Sequence, residues 1–516
     1  MAIAATAAIG LGAVGLMQGT WAVGGSDSAC YGLMAKAMAH GQLQPSSPLA
    51  ERVPWHDGAA SLVPAGFVPS PVRADAASPV CAPGFSLLLV PFVWVVGLDG
   101  IFWMTPVAGV LLVWLAFLLG RYLAGSWAGA VAALLIATSP IVVYQVLQPM
   151  SDLTCATLWL AVVVAASGPG RRRRAAIWIA GALTGLALVV RPNQLPAAAM
   201  AGLVIPALHA SRPKSLTSWL AGAAMFAAAA LPGLAIIASL NAELYGSPVK
   251  FGYGNLGQLF SIGFISANLT RYPRWLIESH TIFPLLSLAA PFACRRDRRG
   301  VIGLALGIAA ATFGVYLVYR PFDDWWYLRF LLPAVVLALV LSAAALTTLA
   351  ERFHSRAAVA LSCVIVAALV AFDVRAAVQG SAFKLRGYEQ RFRDTGLLVR
   401  DRFPANAVFL AAWQSGTVRF FAGREVILWG YLDALGLEPA LAWLEKSDYR
   451  PYILVERSEE AQFRDHFEKG SRVGRLDWPP AYDIDREARI FDPADRDRYF
   501  AGEGRRTEYV WGKGRR

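Results

Sequence analysis

MAIAATAAIGLGAVGLMQGTWAVGGSDSACY, residues 1–31, runs from Ala2 to Val23 without a charge and meets its first one at Asp27. At about 1.5 Å per residue, a helix of that length crosses the hydrocarbon of a bilayer. No basic segment precedes the run and no clean small-residue cleavage site follows it, so it reads as a retained first span rather than a leader. Similar runs recur at 100–121, 127–147, 152–168, 175–190, 194–210, 216–240, 276–294, 300–319, 328–350 and 357–374. The expected fold is a polytopic α-helical membrane protein with about eleven transmembrane helices.

Composition agrees. The apolar fraction is 56% against 16% charged, more than a water-soluble core can use, so much of the surface must face lipid. The formal net charge of +12 does not point to nucleic acid, because the basic residues sit in short clusters between apolar runs. Those clusters, Arg171 to Arg174, Arg212 with Lys214, Arg295 to Arg299, and Arg352 with Arg356, fall on one side of the count. Lysine and arginine accumulate in cytoplasmic loops. The loops 24–99 and 241–275 and everything after 374 are then expected outside a bacterial cytoplasmic (inner) membrane, on the periplasmic or extracellular side, with membrane lipids as partners.

Residues 84–98 are apolar but short, and counting them as a span would invert every later basic loop. They are expected to form a helix lying at the outer interface. From about residue 380 the chain becomes charged throughout, with strand-like runs at 407–412, 425–429 and 451–456 and helix-like runs at 439–446 and 459–469. That alternation predicts a C-terminal extramembrane α/β domain over 380–516, after a membrane module over 1–375 that carries the outer loop 24–99. Of five cysteines, Cys30 and Cys81 are the pair expected outside the spans on the outer side. They are read as a disulfide of an oxidising compartment or as two buried free thiols.

Two carboxylates stand where chemistry is expected. Asp27 follows the outer end of the first span, and Asp152 lies in Gln148-Pro149-Met150-Ser151-Asp152 at the start of the fourth. Either could simply cap the helix that follows. Together they suit a reaction that abstracts an acceptor proton and steadies a departing phosphate through a metal or a cation. A divalent metal is allowed by that chemistry, but its ligands are unknown; His56, Asp57 and His280 have no spaced partners, and Asp323 with Asp324 reads as an exposed turn. Outer cations that could meet a phosphate are Arg191, Lys250, Arg271, Arg274, Arg320 and Arg329. Arg329 is favoured because it follows Trp325-Trp326-Tyr327, which is either an interfacial aromatic belt or a sugar-stacking platform.

Asp27-Ser28 with Tyr31, Ala82-Pro83-Gly84-Phe85, Ser139-Pro140 leading to Met150-Ser151-Asp152, Gly185 to Pro192, Tyr245-Gly246-Ser247-Pro248, and Arg329 with Leu331-Leu332-Pro333 form an ordered series. In that order they resemble the GT-C superfamily, in the bacterial branch related to protein O-mannosyltransferases and aminoarabinose transferases. The resemblance implies a glycosyltransferase, inverting, that takes a sugar from a polyprenyl-phosphate donor and passes it to a glycan, lipid or protein acceptor on the outer face. It implies Asp27 as general base and Asp152 as a second, assisting catalytic carboxylate. Among the outer cations, Arg329, Lys250, Arg320 and Arg271 are the candidates for the donor phosphate, and Tyr31, Trp325 and Trp326 are candidates to line the substrate cleft. The family often has two adjacent acids in the first loop, whereas Ser28 follows Asp27 here. A transporter or flippase for a lipid-linked or hydrophilic substrate is the alternative reading, but the rare charges fall at helix ends rather than at the midplane. A non-catalytic cell-envelope assembly partner is the third.

Overall fold

A computed structural model describes residues 1–168, 173–209, 215–504 and 506–512. The basic residues expected to mark topology at Arg171, Arg172, Arg212 and Lys214 lie outside the described residues. The chain forms two compact units: Met1–Gly19 with Phe102–Ser239 and Asn255–Phe383, and Thr20–Ile101 with Leu240–Gly254 and Lys384–Arg516.

The first unit is helical. Ala2–Gln18 packs against Met104–Thr138, which is broken at Ala124 and Gly125, where φ of +90° at the glycine lets the chain turn back on itself. Arg356–Gln379 starts at Ser355, whose hydroxyl accepts the backbone N–H of Ala357, and Leu332–Arg352 carries Pro333 in its first turn, where a missing N–H costs no hydrogen bond. Helices Arg173–Val190 and Leu216–Tyr245 approach backbone to backbone: a Cβ on Gly233 would stand 2.4 Å from the carbonyl carbon of Gly185. Close approach through small residues is how apolar helices bind one another in lipid.

Among the described residues, five helices are long and apolar enough to cross a membrane, and two sharply bent pairs bring the number to seven if each is one span. The apolar segment expected at 276–294 falls across one of those bent pairs, Ile262–His280 with Phe283–Ala293. The helix Ile265–His280 ends at Thr281, with φ of +60°, before the chain resumes at Phe283.

The second unit holds a six-stranded sheet in the order β4-β3-β5-β7-β6-β8. Its strands are β3 (Ala407–Leu410), β4 (Glu425–Ile427), β5 (Arg450–Glu456), β6 (Tyr482–Ile484), β7 (Ala488–Phe491) and β8 (Glu508–Val510); β1 (Phe67–Pro69) and β2 (Ala77–Pro79) make a separate antiparallel pair. β3 is parallel to β4 and β5, and β7 runs antiparallel to both β5 and β6. The alternation of β3 sends Val408 and Leu410 to one core and Ala407 and Phe409 to the other, so both faces are covered. One face packs on helices Leu437–Lys446 and Arg457–Phe467, the other on Leu385–Arg402.

The loop 24–99, expected with the membrane module, is part of this second unit. Leu49 and Leu62 are buried in the core of the sheet, and the Ser61 carbonyl accepts the N–H of Leu428. The short apolar segment at 84–98 is the helix Pro83–Val96. Cys30 and Cys81 are bridged.

Candidate active site

Asp27 opens the helix Asp27–Ala39, and its side chain is exposed within the second unit. A carboxylate in the first turn is favoured by the helix dipole, but Ser26 makes no side-chain cap bond. The turn around Asp27 is fixed from several directions. Cys30 is tied to Cys81, Thr417 Oγ1 donates to the Val23 carbonyl at 2.8 Å, and Arg393 donates to the Trp21 carbonyl at 2.9 Å. Gly66, with φ of +87°, passes so close that a Cβ there would stand 2.4 Å from the Ser26 carbonyl oxygen. The outcome is an accessible carboxylate on an immobilised turn. Tyr31, one turn on, is only 5% exposed, its ring edge-on to Phe85 at 4.9 Å.

Asp152 is in the opposite situation. It lies in the first turn of Ser151–Ala166 and is 1% exposed. Neither oxygen accepts a hydrogen bond among the described residues, so it does not cap the helix; instead it forms an ion pair with Arg191 at 2.8 Å. Arg191 leaves its helix because Pro192 follows and disfavours helical backbone at the residue before it, and φ of −144° there is extended. Its Nε donates to Ser151 Oγ at 3.0 Å and its Nη1 to the Tyr316 hydroxyl at 3.0 Å, while Asn193 donates to the same hydroxyl at 2.8 Å. Arg191 therefore anchors three segments to one another and is not an open fork for a phosphate.

Arg329 lies in the 3₁₀ turn Trp325–Leu331, its guanidinium 5.2 Å from the Phe330 ring centre and 5.4 Å from that of Tyr327. Phe330 also lies under Arg191 at 5.8 Å. Trp325 and Trp326 are half-buried and both meet Tyr144, at 5.4 and 6.2 Å, the second stacked nearly parallel. Arg271 is paired with Asp323 at 2.5 Å. Arg320 and Lys250 are exposed, the first in the helical unit and the second in the sheet-bearing one.

Sequence reasoning missed Glu389, on the helix Leu385–Arg402. A Cβ on Gly24 would meet its Oε2 at 2.4 Å, so the carboxyl lies against the segment leading into Asp27. Burial pushes Glu389 up to about 7, with Glu456 adding to the rise and Arg391 opposing it. No motif marks it, because the helix belongs to a remote part of the chain. Among the described residues no three His, Cys, Asp or Glu side chains gather, and Asp152 is already neutralised by Arg191. His280 is buried between Ser139 and Ser279, 2.7 Å from each hydroxyl, a packing role.

Residues 84–236 match the family model described as dolichyl-phosphate-mannose-protein mannosyltransferase. No curated protein matches the chain in sequence. Among solved structures, ArnT from Cupriavidus metallidurans bound to undecaprenyl phosphate is 13% identical, covering 89% of this chain and 93% of that one, at a TM-score of 0.57. The Archaeoglobus fulgidus oligosaccharyltransferase in complex with zinc and sulfate is 14% identical, over 90% of this chain and 69% of that one, at 0.58. The archaeal oligosaccharyltransferase AglB, from the same organism, with an inhibitory peptide and a dolichol-phosphate, is 12% identical over 92% and 72%, at 0.55. At these identities the likeness is one of fold.

Proposed function

We propose that this chain, a polytopic membrane protein with the GT-C glycosyltransferase fold and a mannosyltransferase-type segment at 84–236, moves a sugar from a polyprenyl-phosphate donor to an acceptor on the outer face of the cytoplasmic membrane. The observation that carries this reading is the exposed Asp27 carboxylate on a turn braced by a disulfide, in a fold shared with ArnT, whose structure holds undecaprenyl phosphate. The Cys30–Cys81 bridge belongs to the same compact unit as residues 384–516, which supports an oxidising, periplasmic or extracellular side for both.

In the proposed step the Asp27 carboxylate accepts the proton of an acceptor hydroxyl as that oxygen bonds to the anomeric carbon. The bond from that carbon to the phosphate oxygen breaks, and its electron pair leaves with the polyprenyl phosphate, inverting the centre. Arg329, with Lys250 and Arg320 as further candidates, meets the departing phosphate's charge. Arg271 would have to give up Asp323 to do the same. Asp152, paired with Arg191, holds together the helical segments that Arg191 joins and does not touch substrate in this scheme.

The test is donor consumption by the purified full chain in lipid, across a panel of polyprenyl-phosphate sugars, with wild type beside Asp27→Asn. Transfer by wild type and none by the folded variant supports the reading. Equal transfer by both removes Asp27 from the mechanism.

A further inference from the structure

The sheet-bearing unit contains a hollow of about 410 Å³, a volume in the range of small-molecule sites. It is walled by the second half of the helix Asp27–Ala39 on one side and by residues 419–425 on the other. Its polar lining is Lys36, His40, Gln42, Ser46, Arg419 and Glu425. Two fixed cations thus face one carboxylate, with a histidine at the rim.

Both cations are held in place. Lys36 Nζ donates to the Phe420 carbonyl at 2.7 Å and reaches the Arg419 carbonyl at 3.4 Å. Arg419, 9% exposed, pairs with Glu425 at 2.6 Å and donates to the Ser46 carbonyl. The backbone that presents Arg419 is a π-helical turn, Val418–Ala422, closed by Gly423 at φ of +63°. Such turns are uncommon and concentrate at functional sites. Burial, then the neighbouring Arg419, pushes the Lys36 ammonium down, as for a cation whose counter-charge is missing.

A second hollow, of about 560 Å³, shares Gln42 and Ser46 with the first and adds Gln44, Arg73 and Glu243. Arg73 is already neutralised by Asp75, which leaves the exposed Glu243 carboxylate beside the Gln42 and Gln44 amides and the Ser46 hydroxyl, groups that can hydrogen-bond sugar hydroxyls. A cationic hollow that shares Gln42 and Ser46 with a neighbouring lining of amide, hydroxyl and carboxylate groups suits a ligand with an anionic group on a hydroxyl-rich body.

We propose that the Lys36–Arg419 hollow binds an anionic saccharide, the carboxylate of a uronic acid or the phosphate of a sugar phosphate, as part of the acceptor. The saccharide in this proposal rests on the transferase reading above; the requirement for an anion rests on the hollow itself.

The experiment is equilibrium binding to the purified full chain in neutral-lipid nanodiscs, with glucuronate, glucose 1-phosphate, glucose and inorganic phosphate as probes. Glucuronate and glucose 1-phosphate are expected to compete with each other and to bind at least about tenfold more tightly than glucose. Lys36→Gln should weaken both about tenfold. Glu425→Gln, which frees Arg419 from its internal partner, should strengthen them, an effect that a misfolded protein cannot mimic. Glucose binding as well as glucuronate overturns the proposal, and so does unchanged affinity in both variants. Inorganic phosphate binding as tightly as glucose 1-phosphate overturns the saccharide. Sugar transfer measured on the same preparation separates the two readings. Anion-dependent binding with no transfer from any donor leaves the hollow standing without the transferase. Transfer with none of the probes bound removes the hollow and spares it.

Discussion

Asp27 and Asp152 look alike in the sequence, each a lone carboxylate just before an apolar helix, and the structure gives them opposite surroundings. Asp27 is exposed in the sheet-bearing unit, on a turn that a disulfide and two side-chain bonds to the backbone hold still. Asp152 is sealed in the helical unit against Arg191. A group that exchanges a proton with a substrate must be reachable, whereas a buried ion pair fixes geometry and resists change. The difference teaches that helix-start position alone does not tell a reachable carboxylate from a sealed, ion-paired one; burial and the nature of the partner do.

The largest expected effect tests the exposed member. Asp27→Asn keeps the side chain's size and removes its basicity, so transfer should fall about 10²–10⁴-fold with an unchanged thermal midpoint. A drop in midpoint that tracks the loss of activity would make Asp27 a brace as well. The next effect tests the buried member. Asp152→Asn leaves the Arg191 charge with no countercharge and should cost about 3 kcal/mol of stability, seen as a lower thermal midpoint in detergent. Removing both charges, Asp152→Asn with Arg191→Gln, should recover part of that loss. If the double variant is no more stable than the sum of the single changes, the pair is not coupled and the contrast with Asp27 weakens.

Much of this was legible before any coordinates. Among the described residues the long apolar runs fall mainly on helices, although the first helix ends at Gln18 and the run 276–294 is interrupted at Thr281; β3, β4 and β5 with their two helices lie within a few residues of the strand and helix signals. The strands β6 and β7 were not legible. They are short and charged, and their turn carries Asp485 and Arg486 at φ of +54° and +60° with no glycine to announce it. The affiliation of the loop 24–99 was equally hidden, because the partners of Leu49 and Leu62 lie hundreds of positions away and leave no periodic trace. Of the candidate site, Asp27 and Asp152 stand out in the sequence by charge against an apolar background. Their different surroundings were not legible, since Arg191 and Glu389 are brought in by tertiary packing alone.

The disulfide gives a smaller effect that bears on Asp27's side of the contrast. Cys30 and Cys81 are separated by 51 residues, and closing a loop of that size restricts the unfolded chain by about 4 kcal/mol in the chain-entropy account. Native strain and residual structure commonly reduce this, so replacing both by serine should cost about 2–4 kcal/mol. The measurement that matters is transfer by the variant at a temperature where it remains folded. If activity falls there too, the bridge holds the Asp27 turn for catalysis; if activity is retained, Gly66, Thr417 and Arg393 suffice to hold it.

The smallest effect is a pH dependence set by Glu389. Its carboxyl is pushed up to about 7 by burial, with Glu456 raising it further and Arg391 pulling it down, against an ordinary value near 4.5. The folded protein therefore holds this proton more tightly than the unfolded chain does. The stabilisation is fully present below the ordinary value and is lost as pH rises through about 7, so this group makes the sheet-bearing unit less stable at pH 8 than at pH 5. Glu389→Gln keeps the neutral form at every pH and should flatten that part of the profile, read as the change in thermal midpoint between the two pH values. Asp394 and Glu459, both raised mainly by burial, contribute slopes of the same sign, so the comparison is with wild type rather than with a flat line. If the Gln variant retains the whole wild-type slope, the carboxyl against Gly24 is solvated. The segment entering Asp27 would then be less sheltered than its packing implies, which narrows the distinction from Asp152.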